Sequence, residues 1–65
     1  MNEIRHKLFT ECDLLTGNKN RMCVCDSREE LDYQLTYAIK RLCTIHDLNV
    51  KRLEKMGEIA RVNLV

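Results

Sequence analysis

Proline is absent from this chain, glycine occurs only twice, and only three residues are aromatic. Each scarcity excludes something. Two isolated glycines, Gly17 and Gly57, cannot form the glycine-rich loop that cradles phosphates. Phe9, Tyr33 and Tyr37 are too few for a platform that stacks nucleic-acid bases. No apolar run approaches the ~20 residues of a membrane span, and Met1-Asn-Glu-Ile lacks the basic-then-apolar order of a secretion signal. A cytosolic protein without a membrane partner is therefore expected, with its four cysteines reduced rather than bridged. The net charge of +1 gives no bulk electrostatic reason to bind nucleic acid.

Catalytic equipment is missing too. No serine stands in a nucleophile turn, and no carboxylate pair faces an apolar wall. Cys43 and His46, three apart, would suit a thiolate–imidazolium pair, but a protein of two or three helices offers little concave surface for a substrate. No enzymatic activity is expected.

What is present is helical. Apolar residues make up 45% and charged residues 32%, a balance suited to folding rather than disorder. Ile4, Leu8, Cys12 and Leu15 step by 4, 4 and 3 along one helical face, with Glu11 close to that face. Gly17 then offers the left-handed turn that ends helices, and Asn18-Lys19-Asn20 follows as a polar turn, so a first helix over 2–16 is expected. Arg21–Cys25 has the composition of an extended segment but no second strand to pair with. It is expected to be a linker that lays Met22 and Val24 onto the helices.

A second start signal follows. Ser27 with Glu30 forms a capping box, and Glu29, Glu30 and Asp32 place negative charge at the positive end of a helix. The run from Ser27 to Ala60 contains no proline and one glycine. At ~1.5 Å per residue it would reach roughly 50 Å, against roughly 22 Å for residues 2–16. Leu31, Leu35, Ala38, Leu42 and Ile45 repeat at 4-3-4-3, the seam of helices packed side by side. Continued in register, that seam meets Asn49, Arg52, Met56 and Ile59, while His46, Val50, Leu53 and Ala60 form a competing stripe. Either the helix continues and its buried face rotates, or it breaks near Asp47-Leu48-Asn49 with Asp47 or Asn49 capping a third helix.

The expected fold is all-α, a helical hairpin of residues 2–16 and 27–60. The first helix would cover only the start of the second, leaving Leu48, Val50, Leu53, Met56, Ile59 and Ala60 without intrachain cover. An apolar surface of this extent marks a partner site, and a symmetric homodimer is its simplest closure. Charge could orient two chains antiparallel: residues 1–33 carry five Lys/Arg and seven Asp/Glu, and residues 34–65 carry six and three. The function expected first is that of a small regulatory interaction protein, self-associated and binding a protein partner through a helical face. Small size without catalytic equipment is common among regulators and accessory products of bacteriophages and mobile elements.

Two other readings compete. Cys23, Cys25, Cys43 and His46 supply the three thiolates and one imidazole of a tetrahedral zinc site, although only one residue separates Cys23 from Cys25. The bland alternative makes Cys43 a small core residue and Cys23 and Cys25 incidental. Residues 39–56 resemble a helix-turn-helix DNA-binding unit, with Cys43, Asp47, Leu48 and Leu53 at its small, turn and apolar positions. Lys51, Arg52 and Lys55 would then face DNA phosphates. Asp47 stands where glycine is preferred, and the ordinary alternative is a helix junction with a solvated basic face. His6 is expected to be solvated.

Overall fold

A computed structural model describes residues 2–64, with side chains described for residues 3–57. Two helices account for nearly all of it: α1, Asn2–Val24, and α2, Arg28–Leu64. They form the antiparallel hairpin that the sequence predicts, a rod of 57 × 15 × 14 Å. Among the described residues no helix is long and apolar enough to cross a membrane.

Helix α1 runs eight residues past the stop signal at residue 16. Gly17 does not take a left-handed turn; no glycine in the chain has positive φ. Its presence mid-helix costs about 1 kcal/mol relative to alanine. The residues beyond it offset that cost. Ile4, Leu8, Glu11, Leu15, Asn18 and Met22 repeat at 4-3-4-3-4, and all six are half-buried. Stopping at residue 16 would remove Asn18 and Met22 from this line. Arg21–Cys25 is accordingly not an extended linker: Met22 lies on the seam, while Val24 ends the helix exposed.

Only Cys25-Asp26-Ser27 connects the helices. Ser27 caps α2 as its sequence signal implies, its Oγ accepting the Glu30 backbone N–H at 3.1 Å and its carbonyl accepting the Leu31 N–H at 3.1 Å. The Glu30 carboxylate does not complete the reciprocal box. It accepts from Gln34 Nε2 at 2.9 Å, at the head of a chain of polar contacts along the seam.

Helix α2 is continuous through residues 47–49. Leu31, Gln34, Ala38, Arg41, Ile45, Leu48 and Arg52 repeat at 3-4-3-4-3-4 and are all buried or half-buried. A break would take Leu48 and Arg52 out of that line. The two candidate caps are engaged sideways instead. Asp47 Oδ1 lies 3.3 Å from His46 Nδ1, and Asn49 Oδ1 accepts from Arg52 Nε at 3.2 Å.

The interior is thin. Gln34 and Ala38 are the buried residues among those described, and no large side chain is fully enclosed. Polar contacts supply part of what apolar packing does not. Asn18 Nδ2 donates to Gln34 Oε1 at 2.6 Å, Arg41 Nε donates to Asn18 Oδ1 at 2.9 Å, and Arg41 Nη1 donates to Glu11 Oε2 at 3.5 Å. Glu30, Gln34, Asn18, Arg41 and Glu11 thus form one connected row crossing between the helices.

Candidate interaction face

The seam uses different α2 residues from those the apolar pattern suggests. Leu31, Ala38 and Ile45 face α1 as expected, but Gln34 and Arg41 take the places assigned to Leu35 and Leu42. The reason lies on α1. Glu11 and Asn18 occupy its seam line, and partly buried polar side chains need hydrogen-bonding partners. Gln34 and Arg41 supply them, which turns Leu35 and Leu42 outward by one residue, about 100° around the helix.

That rotation creates a second line on α2: Leu35, Ile39, Leu42, His46, Asn49, Leu53 and Met56, again stepping by four and three. Leu35 is 45% exposed, Ile39 and Leu42 are each 52% exposed, and Leu53 is 55% exposed. On the same side of the hairpin α1 contributes Phe9, 71% exposed, and Cys12. Between the helices an open groove is lined by Arg5, Leu8, Phe9, Cys12, Asn49 and Arg52. This side is the candidate interaction face.

Of the interface residues expected from sequence, Val50, Leu53 and Met56 are exposed, with Leu53 and Met56 on the second line. Leu48 is corrected. It is half-buried on the seam, beside His6, Lys7, Thr10 and Glu11 of α1, so it has intrachain cover. Ile59 and Ala60 lie outside the residues whose side chains are described. Sequence reasoning missed Phe9, Leu35, Ile39 and Leu42 as surface residues. The signal that finds them is the polar pair Glu11 and Asn18 at heptad spacing on α1, which calls for polar partners on α2.

The proposed metal ligands do not converge within one chain. Cys23 and Cys25 stand at the connection between helices, where α2 begins, whereas Cys43 and His46 are more than a dozen residues further along α2, roughly 20 Å away along its axis. Cys25 Sγ donates to the Met22 carbonyl at 3.4 Å, and Cys23, Cys43 and His46 are exposed. Among the described residues no group of three or more His, Cys, Asp or Glu side chains is placed to hold a metal ion. Cys43 is not a core residue either.

A helix-turn-helix does not form over residues 39–56, because α2 has no turn there. Lys51 and Lys55 are exposed on that uninterrupted helix, while Arg52 is half-buried and engaged with Asn49.

The opposite side of the hairpin is more polar. The Tyr33 and Tyr37 rings lie 4.8 Å apart at 54°, and Lys40 Nζ sits 5.5 Å from the Tyr37 centroid. With Leu14, Gly17 and Arg21 of α1 these tyrosines line an open groove. A side-chain hydrogen bond to Tyr37 and the proximity of that second phenol hold Tyr33 above the ordinary tyrosine range, with lesser contributions from desolvation and Glu30.

No protein-family model, curated protein or solved structure matches this chain.

Proposed function

We propose that this chain is a small non-enzymatic interaction protein, regulatory in role, that self-associates and engages a protein partner through its helical surface. The observation that carries this reading is the second heptad line on α2. Eleven large hydrophobic side chains are exposed among the described residues, while the one buried hydrophobic residue is Ala38. A single hairpin with so little enclosed apolar surface is marginal by itself, and chains of this length commonly reach stability through association.

The nature of the surface favours a protein partner over a small ligand. The grooves beside the seam measure about 350–460 Å³ and are open along one side. Small-molecule sites of that volume enclose 70–90% of their ligand, which an open trough between two helices does not do. Exposed leucine, isoleucine, phenylalanine and methionine at helical spacing are instead the means by which one helix docks on another. The Tyr33, Tyr37 and Arg21 side adds residue types enriched at protein interfaces, and it lies away from the apolar line.

Sedimentation of the purified protein tests the reading. A mass near twice the 7.7 kDa chain is expected, with a melting temperature that rises with protein concentration. A 7.7 kDa particle that unfolds cooperatively at a concentration-independent temperature would reject it.

A further inference from the structure

We infer that the exposed α2 line is covered by α2 of a second copy running antiparallel, with the two-fold axis passing beside His46. This inference rests on the self-association reading and specifies its geometry.

The line is close to palindromic. Pairing it antiparallel about His46 sets Leu35 against the partner copy's Met56 and Ile39 against its Leu53. Leu42 falls against Asn49 with Val50 alongside, and the two His46 side chains meet at the axis. Two other pairings are poorer. If α2 lay on the partner's α1, its leucines would meet Arg5, Phe9, Cys12, Thr16, Lys19 and Cys23, a line with one large apolar residue and two cations. If the α2 helices ran parallel, residues 29–33 would face themselves. That segment carries Glu29, Glu30 and Asp32, offset only by the neighbouring Arg28 that is bonded to Asp32, so net negative charge from both copies would meet at one end of the dimer. Antiparallel pairing instead sets the acidic starts of the two α2 helices at opposite ends of the dimer. Like charges at close quarters oppose association.

The position of Phe9 agrees with this arrangement. Phe9 lines the groove that Asn49 and Arg52 also line, beside the middle of the α2 line. An axis at His46 therefore brings Phe9 of both copies into the same central region.

Disulfide trapping tests the geometry in a chain whose four cysteines, Cys12, Cys23, Cys25 and Cys43, are replaced by serine. His46→Cys is expected to form a covalent dimer with itself on mild oxidation. An equimolar mixture of Leu35→Cys and Met56→Cys chains is expected to form the mixed disulfide. Neither should bridge to its own kind, because like positions lie roughly 32 Å apart along antiparallel helices. A Leu35→Cys self-disulfide would reject the antiparallel arrangement, as would a dimer by mass that traps at none of these positions. A monomeric mass for the unoxidised, cysteine-free chain and for the unsubstituted chain would reject self-association itself.

Discussion

Asn18 is bonded on both sides across the hairpin seam, donating its amide to Gln34 at 2.6 Å and accepting from Arg41 at 2.9 Å. One side chain of α1 thereby holds two seam positions of α2 that flank Ala38, one four residues before it and one three residues after. Slipping the hairpin by one heptad would leave Gln34, which is 3% exposed, without this partner. The polar row therefore sets the alignment of the two helices, and through it decides which leucines face outward.

Asn18→Leu should lower stability by about 1–3 kcal/mol, because it leaves the buried Gln34 amide oxygen without its donor. Thermal unfolding at fixed protein concentration measures this. Adding Gln34→Leu should recover most of the loss, since removing both partners avoids an orphaned polar group. The double variant should also populate more than one association state by native mass spectrometry, having lost the contact that specifies alignment.

Leu42→Asp and Leu53→Asp should each convert the proposed dimer to monomer or unfolded chain. A symmetric interface changes twice per substitution. At roughly 1.5–3 kcal/mol per buried side chain, the expected weakening is about 3–6 kcal/mol, or on the order of 10²- to 10⁴-fold. Sedimentation equilibrium reads it directly. An unchanged mass and stability for both variants would remove the apolar line from the interface.

Gly17→Ala should stabilise the protein by about 0.5–1 kcal/mol. The position is helical, its φ is negative, and a Cβ built there meets nothing within 4 Å. The same methyl narrows the groove beside Tyr33 and Tyr37. A variant that melts higher yet binds a protein partner less tightly would identify that groove as a contact surface.

Tyr33 should ionise above the ordinary tyrosine value when followed by ultraviolet absorbance at alkaline pH. Hydrogen bonding to Tyr37, then the charge of that phenol, holds the Tyr33 pKa above the ordinary value of 10.0. A folded-state pKa above the unfolded one favours the native state at pH below about 10, and that contribution is lost as pH rises through the folded value. Tyr37→Phe should return Tyr33 toward the ordinary value.

Much of the hairpin is legible in the residues. Ser27 announces the start of α2, the proline-free run from it announces the length, and Leu31, Ala38 and Ile45 belong to the seam as their spacing implies. The end of α1 is misleading, because Gly17-Asn18-Lys19-Asn20 carries local stop chemistry while Asn18 and Met22 are wanted by the neighbouring helix. Long-range contacts prevailed over local preference there. The same neglect of α1 misassigned Leu35 and Leu42: apolar periodicity identifies a stripe, but polar partners on the facing helix decide which edge of the stripe turns inward. Asp47 and Asn49 are competent caps that the seam residues Leu48 and Arg52 leave unused. Cys43 and His46 share a helical face, yet only the depth of the hairpin reveals how far they stand from Cys23 and Cys25.

The unbroken course of α2 beside α1 has a spectroscopic consequence. In a helix the amide N–H bonds lie close to the axis, and here both helices run along the length of a narrow rod that holds almost the whole polypeptide. In a weakly aligned sample nearly every amide would therefore report the same orientation, giving one narrow band of residual dipolar couplings. Cys25, Asp26 and Ser27 would stand apart from it.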